Sequence, residues 1–248
     1  MPTVLLVRHG RSSANSSGTL AGWTPGVFLD AAGEQQADAL GARLAAAEVP
    51  VAEIVSSPLD RCVQTADRLA SALGGPVTRS VHDGLAECRY GAWTGRPLAE
   101  LAKEELWKVV QERPSQARFP DSPAYEGESL TAMWDRALDA VREVNERVTA
   151  EHGADAVWVA VSHGDVIKAV LADAAGSRLD DFQRLHVDPA SLSVVHYTSR
   201  GPFVVRLNDV GGDLSGLRPT ARATQDGELP EGDAVVGGGP GTSDRVGP

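Results

Sequence analysis

Two apolar runs of the chain each end in a histidine followed by a glycine. The first run ends in Arg8-His9-Gly10 and the second ends in His163-Gly164. Arginine offers a planar fork of donors that suits phosphate, a neutral imidazole can attack phosphorus as a nucleophile, and glycine lets a ligand approach the backbone. Taken alone, however, the first run is better explained as a strand end that carries a surface arginine and a structural histidine.

The elements that precede these residues decide between the two interpretations. Continuous apolar runs bounded by glycine are typical of buried parallel strands, and open α/β sheets bind ligands beyond the carboxyl ends of their strands. A third predicted strand is followed by Arg61. If these strands are neighbours, both histidines and both arginines converge at one edge of the sheet. Together with Gly164 and the helix N-terminus that follows it, these side chains are predicted to form a binding site for a phosphoryl dianion.

Strand patterns alternate with helix patterns along most of the chain. Short apolar runs predict strands, and apolar positions at 3-and-4 spacing predict helices. The predicted strands are residues 3–7, 52–57, 77–81, 156–163, 191–198 and 203–208, and the predicted helices are residues 33–49, 59–73, 97–112, 129–152, 165–175 and 180–187. This alternation predicts an α/β protein, a three-layer α/β/α sandwich with a mostly parallel central sheet.

The composition changes after residue 210. Glycine and proline become frequent and large apolar residues almost vanish, so this segment cannot bury enough surface to offset its chain entropy. We therefore predict one folded catalytic domain over residues 1–210 and a disordered, dispensable Gly/Pro-rich tail over residues 211–248.

The totals exclude several classes of protein. A net charge of −11 argues against a general nucleic-acid binder. The two cysteines, Cys62 and Cys88, are too few for a disulfide framework or a structural zinc site, and both are expected to be small buried residues. No signal peptide or membrane-length apolar run is found, so a cytoplasmic protein without membrane or nucleic-acid partners is expected.

Six segments, in order, resemble the histidine phosphatase superfamily, the phosphoglycerate-mutase-like proteins. The segments are Arg8-His9-Gly10 with Asn15; Gly22 and Trp23 through Leu29 with Gly33, Gln36 and Ala37; Ser56 through Ala66; Leu85, Ala86 and Glu87 with Gly91, Trp93 and Gly95; Gly127 through Leu130; and Val161 through Gly164. The resemblance covers nearly the whole predicted domain.

The resemblance implies a role for each matching residue. His9 would be the nucleophile that takes the phosphoryl group. Arg8, Arg61 and His163 would hold the phosphate oxygens, with Asn15 nearby. Because the attacking nitrogen of His9 must be unprotonated, its other nitrogen should donate to a backbone carbonyl.

In the same way Glu87 would be the proton donor to the leaving oxygen and then the base for the attacking water. An alkoxide is a poor leaving group, so a positioned acid is needed. The like charge of a bound phosphate should raise the pKa of Glu87 and keep it protonated. No metal ion or cofactor is expected, because the arginines supply the positive charge and would repel a cation near the histidines.

Large aromatic residues in the irregular loops are candidates for the wall of the substrate pocket. Trp23 and Trp93 are predicted to contact the substrate, and Tyr90 and Tyr125 are further candidates. The three other tryptophans are expected in the core or in helix packing. Arg11 either adds a donor for a second anionic group of the substrate or faces solvent.

The sequence thus predicts a metal-independent phosphomonoesterase that hydrolyses a small phosphorylated metabolite through a phosphohistidine. A phosphoglycerate-type phosphomutase is an alternative, but the loops near the site carry few of the basic groups that retain a bisphosphorylated intermediate. A non-catalytic phospholigand-binding protein is a second alternative, disfavoured because every catalytic position is intact. Neither the substrate nor the oligomeric state can be determined from the sequence.

Overall fold

Strand β1 (Thr3–Arg8) lies inside the sheet of the computed structural model, which describes residues 1–212. Val4 and Leu6 pack in the core on one face of the sheet, and Leu5 and Val7 pack in the core on the other. All four side chains are at most 5% exposed. The strand is apolar throughout because both of its faces are covered, as expected for a parallel strand.

Six strands form one sheet. They are β1 (Thr3–Arg8), β2 (Val51–Ser56), β3 (Thr78–Val81), β4 (Val157–Ser162), β5 (Leu192–Thr198) and β6 (Gly201–Asp209). Their order is β3-β2-β4-β1-β5-β6. The first four strands pair in parallel, whereas β5 is antiparallel to β1 and β6 is antiparallel to β5. The prediction of a mostly parallel α/β sheet is confirmed.

Helices cover both faces of the sheet. The α-helices within residues 1–212 are α1 (Ser13–Ser16), α2 (Ala31–Ala46), α3 (Asp60–Leu73), α4 (Leu98–Leu101), α5 (Glu105–Glu112), α6 (Leu130–His152) and α7 (Gly164–Ala174). Helices α2 and α3 pack on the Leu5 side of β1, and α6 and α7 pack on the Val4 side. Across this part of the chain, no helix combines the length and apolar character that a membrane span requires.

Two predicted helices differ from the observed ones. The helix predicted over residues 97–112 is interrupted between α4 and α5, where the Glu104 carboxylate accepts a hydrogen bond from the Trp93 indole at 2.7 Å. The helix predicted over residues 180–187 is a 3₁₀-helix, Leu179–Arg184. Apart from its first two residues, the predicted tail lies outside the described residues.

The strand register brings the two strand-His-Gly segments side by side. Arg8 of β1 is paired with Ser162 of β4, so His9 and His163 each lie one residue beyond the end of neighbouring strands. Strand β2 pairs with the other edge of β4, which brings the start of α3 to the same place. The predicted convergence at the carboxyl edge of the sheet therefore follows from the order β2-β4-β1.

Two glycines let the backbone after β1 pass close to α2. A Cβ on Gly33 would lie 1.9 Å from the Arg11 carbonyl oxygen, and a Cβ on Gly10 would lie 2.4 Å from the Gly33 carbonyl oxygen. We expect Gly33→Ala to lower the free energy of unfolding by about 1–3 kcal/mol, measured by urea unfolding. Gly75→Ala is the matched control, because nothing lies within 4 Å of its added Cβ. Equal stability of the two variants would contradict this packing.

Candidate active site

The Arg61 side chain joins the two histidines at the carboxyl ends of β1 and β4. Its Nε donates to His9 Nε2 at 3.3 Å, and its Nη2 donates to His163 Nδ1 at 3.2 Å and to the Gly22 carbonyl at 3.0 Å. The two imidazole rings meet edge to face with centroids 5.2 Å apart. These three side chains and Arg8 are at most 2% exposed. The structure therefore brings the predicted pair of arginines and pair of histidines together in one buried cluster.

The hydrogen bonds of His9 define its tautomer. Its Nδ1 lies 2.7 Å from the Gly10 carbonyl oxygen, which can only accept a hydrogen bond. Its Nε2 faces the Nε–H of Arg61, which can only donate. Burial, together with the charges of Arg61 and Arg8, holds the pKa of His9 well below its ordinary value. His9 is therefore neutral, with the proton on Nδ1 and a lone pair on Nε2, the form that a nucleophile requires.

His163 is also neutral, and its tautomer is fixed by a serine. Its Nδ1 accepts from Arg61, so its Nε2–H donates to the Ser57 hydroxyl at 2.8 Å. Burial and the charge of Arg61 hold the pKa of His163 well below its ordinary value. Thr65 lies in the same segment as Ser57, and its Oγ1 accepts a hydrogen bond from the Gly10 amide at 3.1 Å. No role for Ser57 or Thr65 was predicted, although both lie in the Ser56–Ala66 segment whose resemblance could have indicated one.

Arg8 is a buried cation at the end of β1. Its Nη1 donates to the Val187 carbonyl at 2.8 Å. Burial lowers the pKa of Arg8 from its ordinary value, while the charges of Glu87, Asp188 and Asp165 oppose that shift. Because arginine remains protonated in proteins, Arg8 carries a positive charge where solvent screens it little. Such a charge attracts an anionic ligand.

The Glu87 carboxyl group is buried beside His163. Its Oε2 lies 3.7 Å from His163 Nδ1, and its Oε1 accepts from the Cys88 amide at 3.0 Å. Burial raises the pKa of Glu87 to about 7, and the charge of Asp165 adds to the shift while Arg61 opposes it. From the sequence this shift was expected to come from a bound phosphate, but burial raises the pKa before any ligand binds. A carboxyl group with this pKa can both give and take a proton near neutral pH.

Three side chains anchor the loop that carries Glu87. Arg136 of α6 donates to the Glu87 carbonyl at 3.0 Å, and the Trp23 indole donates to the same carbonyl at 2.7 Å. Ser162, at the end of β4, donates to the Leu85 carbonyl at 2.7 Å. Arg136 was not predicted from the sequence, since nothing there distinguishes it from the other charged residues of its helix.

The predicted phosphate-binding residues Asn15 and Gly164 lie at two helix starts. Asn15 Oδ1 accepts from the Ser12 amide and hydroxyl at 3.0 Å and 2.9 Å, which closes the first turn of α1. The side-chain group of Asn15 that can donate to a ligand is therefore its Nδ2 amide. Gly164 begins α7 directly after His163. Contact of either residue with a substrate stays a prediction.

The two tryptophans predicted to line the pocket differ in their surroundings. Trp23 is half-buried and contacts the Glu87 loop, which is compatible with a wall of the site. Trp93 is 1% exposed and packs against Phe119 and Trp107, with centroids 5.2 Å and 6.0 Å away. Its place in the core corrects the sequence prediction, because a ring enclosed in this way presents no open face to a ligand.

Both cysteines are buried and unpaired with each other. Cys62 and Cys88 are free thiols at 0% exposure, as expected from the sequence. Burial raises the pKa of Cys62 to about 12 and that of Cys88 well above its ordinary value, so neither thiol is a nucleophile at neutral pH.

The donor set of the cluster does not suit a metal ion. The lone-pair nitrogens of His9 and His163 both accept hydrogen bonds from Arg61, whose charge repels a cation. Within residues 1–212, no three His, Cys, Asp or Glu side chains are arranged to hold a metal ion. Metal independence of the reaction stays a prediction.

We expect Arg61→Gln to raise the pKa of both His9 and His163, because the variant removes a positive charge that disfavours the protonated imidazoles. NMR titration of the imidazole nitrogens measures this shift directly. The variant should also lower kcat/KM for a phosphomonoester by about 10²–10³-fold. Arg43→Gln, which removes a partly exposed arginine paired with Asp209, is the control. Unchanged histidine titrations in Arg61→Gln would contradict this account.

Comparison with known proteins defines the family. The model of the histidine phosphatase superfamily (branch 1) matches residues 4–210. The chain therefore belongs to the histidine phosphatase superfamily. The solved structure of Bacillus stearothermophilus YhfR superimposes with a TM-score of 0.73 at 25% identity, covering 84% of this chain and 98% of that one. Both findings confirm the resemblance drawn from the sequence.

The similar proteins include both phosphatases and mutases. Phosphoserine phosphatase 1 of Hydrogenobacter thermophilus is 30% identical over 84% of this chain and 92% of its own length. A 2,3-bisphosphoglycerate-dependent phosphoglycerate mutase of Caulobacter vibrioides is 29% identical over 69% of this chain and 79% of its own length. A bifunctional protein of Mycobacterium tuberculosis is 34% identical over 85% of this chain. The chain spans about half of that relative, 54% of its length.

Proposed function

We propose that the protein is a metal-independent phosphomonoesterase that hydrolyses a small phosphorylated metabolite through a phosphohistidine at His9. The observation that carries this proposal is the neutral His9 ring, whose Nδ1–H is bound to the Gly10 carbonyl and whose Nε2 lone pair faces a buried arginine. A phosphate oxygen could take the place of His9 Nε2 as the acceptor of the Arg61 Nε–H. The phosphorus atom would then lie directly in front of the nucleophilic nitrogen.

The groups of the site account for both halves of the reaction. Arg8 and Arg61 donate to the phosphate oxygens. His163 binds one as well once the phosphate has replaced its Nδ1 as the partner of Arg61 and that nitrogen carries a proton, which the negative charge of the phosphate favours. His9 Nε2 attacks phosphorus, so a P–N bond forms while the P–O bond to the leaving group breaks, and Glu87 gives its proton to the leaving oxygen. The Glu87 carboxylate then takes a proton from water, whose oxygen attacks phosphorus and breaks the P–N bond. Inorganic phosphate leaves, and both side chains return to their starting states.

Hydrolysis is favoured over phosphoryl transfer by the partners of nearby cations. Arg11 pairs with Asp30 at 2.8 Å and Arg89 with Glu126 at 3.0 Å. Arg96 pairs with Glu104 at 2.7 Å. A mutase has to retain a bisphosphorylated intermediate, which needs additional cations. Cations already neutralised by carboxylates bind a second phosphate less strongly.

A panel of phosphorylated metabolites, with O-phosphoserine and 3-phosphoglycerate among them, tests the proposal. We expect release of inorganic phosphate from at least one member. The mutase alternative predicts interconversion of 2- and 3-phosphoglycerate that is stimulated by 2,3-bisphosphoglycerate. Binding of these ligands without turnover of any of them, or of p-nitrophenyl phosphate, would instead support a non-catalytic binding protein.

A further inference from the structure

A second buried carboxylate, Asp165, lies close enough to Glu87 to raise its pKa, but it takes no direct part in the reaction steps above. It is 0% exposed and belongs to the first turn of α7. The Tyr90 hydroxyl donates to Asp165 Oδ2 at 2.8 Å, and Lys168 Nζ lies 3.6 Å from Asp165 Oδ1. Burial keeps the pKa of Tyr90 well above its ordinary value, so the phenol remains the donor of this hydrogen bond.

The Tyr90–Asp165 hydrogen bond joins the two segments that carry the acid and the second histidine. Tyr90 follows Glu87 by three positions in the same loop, and Asp165 follows His163 by two positions. The hydrogen bond therefore links the same two segments as the contact between Glu87 and His163. The Tyr90 ring is itself fixed edge to face against Phe119, with centroids 5.0 Å apart.

We propose that Tyr90 and Asp165 are positioning residues, which hold the Glu87 carboxyl group against His163 in the place from which it gives its proton to the leaving oxygen. The proposal rests on the phosphomonoesterase function proposed above. Neither residue is assigned a contact with the phosphate. They act through the loop that carries Glu87. The Tyr90–Asp165 hydrogen bond, between residues 75 positions apart in the sequence, connects this loop to α7.

The charges around Glu87 support this assignment. The charged or titratable groups that act on it are Arg8 of β1, Arg61 and Cys62 of α3, Cys88 and Tyr90 of its own loop, Arg136 of α6, and His163, Asp165 and Lys168 at the start of α7. Burial is the largest cause of the raised pKa of Glu87, and the negative charge of Asp165 is the next. Asp165 thus helps to keep Glu87 protonated as well as in place.

Two aryl phosphates distinguish a loss of proton donation by Glu87 from a general loss of active-site structure. Phenolate is a poor leaving group that needs a proton, whereas p-nitrophenolate leaves readily without one. Relative to wild type, we expect Tyr90→Phe to lower kcat for phenyl phosphate by about 10-fold or more and kcat for p-nitrophenyl phosphate by less than about threefold. Asp165→Asn should show the same selectivity and also move the alkaline limb of its kcat/KM profile to lower pH, because it removes the negative charge.

Tyr197→Phe is the matched control, since it deletes a half-buried phenol at the opposite end of the sheet, one residue from the partner of Thr3. The inference would be overturned if both Tyr90→Phe and Asp165→Asn lowered kcat equally on the two substrates, or if neither lowered kcat for phenyl phosphate. Either result would leave the phosphatase proposal intact. A wild-type protein that hydrolyses neither aryl phosphate nor any metabolite would contradict the proposed function and this inference with it. If Asp165→Asn does not fold, Tyr90→Phe alone decides, because it keeps the packed ring.

Discussion

Replacing His9 with alanine is expected to lower kcat by at least about 10³-fold, because the reaction loses the nitrogen that takes the phosphoryl group. The Nδ1–H bond to the Gly10 carbonyl orients the ring so that its Nε2 lone pair faces Arg61, where the phosphate is expected to bind. His163 lies next to it, but its Nδ1 faces Arg61 and its Nε2 faces Ser57. The wild-type protein, quenched with base during turnover, should carry acid-labile phosphate, and the His9→Ala variant should carry none.

His152→Ala provides the control for the His9 experiment. His152 ends α6, is 39% exposed and lies outside the cluster, so its loss should leave turnover and labelling unchanged. If His9→Ala kept wild-type turnover, or if the wild-type protein carried no acid-labile phosphate at saturating substrate, the phosphohistidine mechanism would be wrong.

Replacing Glu87 with glutamine is expected to lower kcat for phenyl phosphate by about 10²–10⁴-fold, the usual contribution of general acid catalysis. Glutamine keeps the size of the side chain but has no proton to give at neutral pH. Turnover of p-nitrophenyl phosphate should fall much less, because its leaving group needs little protonation. Steady-state kinetics on the two substrates measures the ratio.

The pKa of Glu87 also sets the direction of the pH dependence. With a pKa of about 7, the carboxyl group is protonated below that pH and loses its proton as the pH rises through it. The kcat/KM for phenyl phosphate, which reports the free protein, should therefore fall on the alkaline side of pH 7. In kcat the limb should lie at higher pH, because the like charge of bound phosphate raises the pKa further.

The matched control for Glu87 is Glu126→Gln, which removes an exposed carboxylate paired with Arg89. It should keep the wild-type substrate ratio and pH profile. A Glu87→Gln variant that retained the alkaline limb, or that lost activity equally on both aryl phosphates, would assign the proton donor to another group.

The sequence predicted the fold well wherever the pattern was local. The apolar run at residues 3–7 corresponds to β1, because a strand buried on both faces is apolar throughout. The helical periodicity of residues 129–152 corresponds to α6, because a helix buried along one stripe has apolar residues at 3-and-4 spacing. The helix predicted at residues 97–112 was interrupted in the structure, where Trp93 bonds to Glu104. A contact of that kind leaves no periodicity.

The residue types that can do this chemistry, and the strand ends that carry them, could be predicted from the sequence: Arg8 and His9 after one strand, Arg61 after another, and His163 after a third. The hydrogen-bond partners and protonation states of those groups became visible only in the folded protein. Burial raises the pKa of Glu87 already in the absence of a ligand, and Trp93 lies in the core. The reason is physical: desolvation and hydrogen bonding depend on atoms far apart in sequence, such as Tyr90 and Asp165, which only folding brings together.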